Sequence, residues 1–197
     1  MKPSAIFRDH RISSELMTFH PHATTSTIIP HFENIVVGGK CVIGEEDIPE
    51  LKRIFTFLMS EDDSRFNVAQ RRLSLGIERK SLEDWLIDYM IGLEALYLPD
   101  GNQELSFRLS LRMAFLLYTD PIERKGMYYF TREMYKTRSN IVHGNKYDLN
   151  VNEASKLEEL LRRSLRLWIE EKSKFSVNKL SHSGKLQSEG KLDNLFF

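Results

Sequence analysis

From Glu45 to Glu171 the apolar positions recur at three- and four-residue intervals, the spacing that lines one side of an α-helix. In "EEDIPELKRIFTFLMS", acids and Pro49 mark a helix start, and Leu51, Ile54, Phe55 and Leu58 form the apolar stripe. A second helix is predicted through "SRFNVAQRRLSLGIE", with Ser64 as its N-cap. The third, "SLEDWLIDYMIGLEALYL", is apolar on nearly every face and is expected to be the central buried helix. The loop "PDGNQ" ends it, and "ELSFRLSLRMAFLLY" is the fourth. The fifth, "TDPIERKGMYYFTREMYKTRSNIV", opens with Asp120 and Pro121 at N-cap and N1. After "HGNKYDLNVN", a sixth runs through "EASKLEELLRRSLRLWIEE".

The two ends read differently. Residues 1–44 show little periodicity and are expected to form an arm, in which "NIVVGGKCVI" places two β-branched runs around a Gly-Gly hairpin signal. The polar segment after Glu171 contains Gly and Ser and is expected to be a flexible linker, closing with the apolar "LDNLFF". The expectation is an all-α, up-and-down helical bundle over residues 45–175. A short extended or hairpin region precedes it, and a flexible tail over 176–197 follows.

Composition narrows the function. The chain has 197 residues, enough for one domain with a real core, and is 41% apolar and 28% charged. Its formal charge is zero, which argues against gripping long stretches of DNA by bulk electrostatics but not against touching RNA at one point. The single cysteine, Cys41, excludes an internal disulfide framework and any Cys-based zinc cluster. A reducing, cytoplasmic location is therefore expected. The first twenty residues lack the apolar stretch of a signal peptide, and no window approaches eighteen apolar residues in a row, so no membrane span is expected. His10, His20, His22 and His31 crowd the arm. Imidazoles ligate zinc or nickel, but the spacing is irregular and no clustered carboxylate completes a ligand set, so no metal or other cofactor is expected.

Two sets of charges stand out. Glu94 lies in an apolar stripe of the third helix, while Arg108 and Arg112 share a face of the fourth. An unpaired ion in a core costs several kcal/mol, so Glu94 is expected to pair with Arg108 or Arg112 across neighbouring helices. Such a pair sets helix register, and stands behind a site only if one is nearby. Asp84 reads as an acid favoured by the third helix's dipole.

The second set is in "YKTRSNIVHGN". Arg138 and His143 are five apart, about 140° around an uninterrupted helix. Gly144 is the expected left-handed residue that ends the helix, placing His143 at the C-cap. One reading is punctuation, since cations are favourable at a helix C-terminus by a few tenths to about 1 kcal/mol. The other is a site that cuts RNA. Metal-free cleavage needs a base for the 2′-hydroxyl, a cation for the charged phosphorane and an acid for the leaving 5′-oxygen. Histidine supplies acid or base, and arginine supplies charge and paired donors. Tyr135 adds a hydroxyl, Asn140 an amide, and Ser139 a further polar group at the edge. One Arg and one His make half a site, so this reading asks for a homodimer.

The run from "RFNVAQRRLSLGIERKSLEDWLIDYMIGLEALYL" through "ELSFRLSLRMAFLLY" to "MYKTRSNIVHG" resembles the Apea-like branch of the HEPN superfamily. The likeness rests on the acid in "LIDYMIGLEAL", on Glu104, Arg108 and Arg112 in an E-x3-R-x3-R pattern, and on "RSNIVHG" as an R-x4-6-H motif. It covers roughly residues 45 to 175. The resemblance implies a four- or five-helix dimeric bundle and a metal-independent endoribonuclease associated with abortive infection or toxin action against phage. It implies catalytic roles for Arg138 and His143, with Ser139, Asn140 and Tyr135 around them and Glu94, Arg108 and Arg112 behind. A non-catalytic module binding nucleotide or RNA, or a dimerisation module, shares those features. So does the sensor half of a two-component system with a separate sensor or antitoxin protein.

Overall fold

The computed structural model describes residues 43–99, 103–176 and 179–180. The His-rich arm, most of the Gly-Gly segment and "LDNLFF" lie outside them. Among the described residues every element is helical and none is a strand, the class expected. The chain divides into two compact units, Met1–Thr56 and Phe57–Phe197, and the division falls inside the first helix.

In the first unit a 3-10 turn over Glu45–Asp47 leads into α1 (Ile48–Ser60). The Gly44 amide donates to Asp47 Oδ2 at 3.1 Å, and Glu50 pairs with Arg53 on the surface at 2.8 Å. Phe55, read as part of the apolar stripe, is exposed. The half-buried side of the helix includes Ile54, and the next residue along stands about 100° further round.

The second unit contains α2 (Ser64–Glu78), α3 (Leu82–Tyr97), α4 (Leu105–Leu117), α5 (Pro121–Val142), α6 (Val151–Glu171) and a 3-10 turn over Lys172–Phe175. Asp63, not Ser64, caps α2, its carboxylate accepting from the Arg65 amide at 3.0 Å. A carboxylate there satisfies an orphan amide and also meets the positive end of the helix dipole. Ser81 caps α3, and Asp120 with Pro121 begins α5 as the sequence indicates. Asn150 and Glu153 form a reciprocal capping box at the start of α6.

Helix α3 is the centre, packing against α2, α4, α5 and α6. Leu86, Tyr89, Met90, Leu93, Leu96 and Tyr97 are all fully buried, each such side chain contributing about 1.5–3 kcal/mol. Gly76 lets α2 lie close, because a Cβ there would run into the Tyr89 ring. The core continues past the expected end of the domain. The Phe175 ring lies 4.9 Å from Trp168 and 5.4 Å from Tyr97, and Leu180 is buried too. The segment read as a flexible tail from residue 176 is therefore docked at Leu180.

That docking explains Arg112. The guanidinium is buried and donates to the carbonyls of Tyr97 at 2.7 Å and Leu180 at 3.1 Å. Tyr97 ends α3, so its carbonyl lacks an intrahelical partner, and the cation sits at the negative end of the dipole. The same device recurs: Arg163 donates to Leu117 O and Arg124 to Tyr118 O at the end of α4, and Arg65 donates to Phe175 O. Arg112 thus holds main chain, and Glu94 is not among the partners seen for it. Arg108, one turn earlier, is half-buried.

Candidate functional site

Glu94 meets a different cation. Its Oε1 lies 3.8 Å from Nη1 of Arg138 on α5, which corrects the expected pairing with α4. The contact is an ion pair by charge but too long for a hydrogen bond. Among the described residues, the buried side-chain atoms left without a hydrogen-bond partner are Glu94 Oε1 and Arg138 Nε. Each such atom costs about 1–3 kcal/mol. Burial pushes the Glu94 carboxyl above its ordinary pKa, and the Arg138 charge pulls the other way without cancelling it.

Tyr135 completes this group. It lies three residues before Arg138 on α5, so the two share a face. The Arg138 guanidinium carbon is 5.9 Å from the centre of the Tyr135 ring, within cation–π reach. Burial raises the phenol's pKa, the Glu94 charge adds to the rise, and Arg138 opposes it. Arg138 is therefore framed by a carboxylate from α3 and a ring from α5, with its side chain still 27% exposed.

His143 stands where the sequence put it. It is the C-cap of α5, its amide donates to Ser139 O at 3.1 Å, and Gly144 follows with φ +69°. Gly144 N donates to Ile141 O and Asn145 N to Asn140 O, the two bonds of a Schellman turn. Ser139 and Asn140 contribute main-chain carbonyls to this turn, and their side chains are half-buried. His143 is exposed, and its ring makes no hydrogen bond among the described residues. Glu94, Tyr135 and Arg138 thus form one cluster, His143 stands at the helix end beyond it, and Arg112 serves the scaffold.

Two features carried no clear signal in the chain. One is the Glu94–Arg138 contact, because the 3.6-residue period fixes which face each residue occupies but not which helix that face meets. The other is Tyr147, in the loop between α5 and α6, whose hydroxyl donates to Glu83 Oε1 in the first turn of α3 at 2.7 Å. Of the two acids at that helix start, Asp84 and not Glu83 drew a reading. Among the described residues, no group of three or more His, Cys, Asp or Glu side chains gathers to hold a metal ion. None of the described helices is long and apolar enough to cross a membrane. No family model, curated protein or solved structure matches the chain.

Proposed function

We propose that the chain is a metal-independent endoribonuclease of the HEPN type, with Arg138 and His143 as its reacting residues, serving as a defence or toxin effector. The observation that carries this reading is the half-met Arg138. A guanidinium that faces its carboxylate at 3.8 Å, beyond hydrogen-bond distance, and is still 27% exposed keeps donors for an oxyanion such as a phosphate. A purely structural arginine in this fold looks different, as Arg112 and its two carbonyl bonds illustrate.

In the reaction, the RNA 2′-oxygen attacks phosphorus as its proton passes to a base, and Arg138 stabilises the phosphorane. The P–O5′ bond then breaks and the 5′-oxygen takes a proton. The products are a 2′,3′-cyclic phosphate and a 5′-hydroxyl. An imidazole suits either proton transfer, and two copies of the chain would supply one for each. Five residues along α5 separate Arg138 and His143 by about 7.5 Å of rise as well as a large turn, which supports a composite site across a twofold axis. Glu94 and Tyr135 orient the arginine.

A second reading draws on His143, whose ring has no partner to orient it among the described residues, unlike most catalytic bases. A module that binds RNA or a nucleotide, or that dimerises, without turnover would carry the same residues. Incubation of the purified protein with tRNA and mixed single-stranded RNA in EDTA separates the two. Cleavage leaving cyclic phosphate ends, lost in His143→Ala, is the expected result. Binding without cleavage by a confirmed dimer would favour the second reading.

A further inference from the structure

The loop between α5 and α6 is built more firmly than an exposed connection needs to be. A Schellman turn closes its start at Gly144 and Asn145, and the Asn150–Glu153 capping box closes its end. In the middle, Tyr147 is tied to Glu83 on α3 by a 2.7 Å hydrogen bond. The phenol hydrogen bond holds the Glu83 carboxyl below its usual pKa and the phenol above its own, so at neutral pH the tie is a charged acceptor with a neutral ring.

The ring itself is open. Tyr147 is 43% exposed, and among the described residues neither a ring nor a cation stacks on its faces. Val142 and Val151 flank the loop and are more than half exposed, and Lys146 next to the ring is an exposed cation able to meet the RNA backbone. Four residues of chain reach at most about 14 Å, which keeps Tyr147 in the neighbourhood of His143. A fixed aromatic ring with open faces and a hydroxyl already engaged offers little to a phosphate and much to a flat heterocycle. Because every base has such a face, a ring of this kind holds single-stranded RNA without reading its sequence.

We propose that Tyr147 is a base-stacking residue, taking the face of a nucleobase of single-stranded RNA roughly two or three nucleotides from the phosphate that Arg138 engages, since their partners Glu83 and Glu94 stand eleven residues, about 16 Å of rise, apart on α3. This rests on the ribonuclease reading and adds to it the residue that holds an unpaired base, because a base inside a duplex has no free face. The Glu83 tie sets the ring's orientation and leaves the stacking to its faces.

The test uses a fluorescein-labelled single-stranded oligonucleotide, fully 2′-O-methylated so that it lacks the attacking hydroxyl, with binding to the full chain read by anisotropy. Tyr147→Ala is expected to weaken binding roughly 5- to 150-fold and Tyr147→Phe by less than about twofold. Oligonucleotides carrying one abasic position in turn add a control that a merely structural role would not move. At one position the missing base should weaken wild type as much as Tyr147→Ala does, and weaken Tyr147→Ala no further. Unmodified RNA is offered to wild type in parallel. Cleavage by wild type with unchanged binding by Tyr147→Ala would overturn the stacking role alone. Equal losses in Tyr147→Phe and Tyr147→Ala would overturn it in favour of the hydroxyl tie. Neither binding nor cleavage by wild type would overturn both readings. A dimer lost in Tyr147→Ala, with RNA affinity kept, would give the ring to a protein interface instead.

Discussion

Helix α3 carries two acids with opposite circumstances. Asp88 is nearly fully buried, and each of its oxygens has its own guanidinium: Arg72 Nη1 at 2.7 Å and Arg79 Nε at 3.0 Å. Glu94, six residues on and about 120° round the helix, is 22% exposed and has one cation at 3.8 Å. The more deeply buried acid is the better satisfied, as expected where the aim is to hold helices together. Arg72 lies on α2 and Arg79 is its C-cap, so Asp88 fastens the α2–α3 corner. The less buried acid keeps an unpaired oxygen and faces an arginine with an unused nitrogen. Under the proposed function, this incomplete pairing is where a phosphate would complete the set.

Substitutions should separate the two acids cleanly. The largest effect expected is on cleavage: Arg138→Ala should lower kcat by about 10²–10³ or more, the loss typical of removing a group that stabilises transition-state charge. Circular dichroism should show the bundle intact. Asp88→Ala should do the reverse, costing about 2–3 kcal/mol in urea unfolding through two lost charged hydrogen bonds, while the folded fraction keeps its cleavage rate. A full 3–5 kcal/mol is not expected, because Arg72 and Arg79 can turn to water.

Gly144→Ala comes next. Nothing lies within 4 Å of the added Cβ, so the cost is the left-handed backbone alone, about 1 kcal/mol, with Gly144→Asn costing less. A larger loss of cleavage than of stability would place the turn in the geometry of His143.

The smallest effect is Glu94→Gln. The Glu94 pKa is raised on folding, so the fold favours its protonated form. Its contribution is fully present below the ordinary value of 4.5 and is lost as pH rises through the higher folded value. Glu94→Gln, which resembles the protonated form, should therefore melt slightly higher than wild type at pH 7, with the gap closing as pH falls below about 4.5. A melting temperature that drops at pH 7 would show that the Arg138 attraction outweighs burial.

The helices were legible in the chain because their signals are local. The run "SRFNVAQRRLSLGIE" matches α2 residue for residue, and Asp120, Pro121 and Gly144 mark the ends of α5 as their chemistry requires. Partners were less legible. A buried arginine such as Arg112 looks the same in sequence whether it meets a carboxylate or the loose carbonyls at a helix end, and α3 ended where those carbonyls were free. Phe175 and Leu180 sit among polar neighbours, so nothing periodic announced that they join the core. At the site, Arg138 and His143 were singled out by their spacing before Gly144. Glu94 was singled out with the wrong partner. Tyr147 gave no signal, because a loop tyrosine becomes notable only once Glu83 is seen across from it.

The most direct measurement sets the two halves of the α3 comparison side by side. Cleavage of one single-stranded RNA in EDTA is followed for wild type, Arg138→Ala and Asp88→Ala, each rate corrected for the folded fraction in the same buffer. The account predicts cyclic phosphate ends from wild type and Asp88→Ala at similar rates, and no cleavage by Arg138→Ala. Cleavage by Arg138→Ala at the wild-type rate would contradict it, leaving the half-met arginine as scaffold.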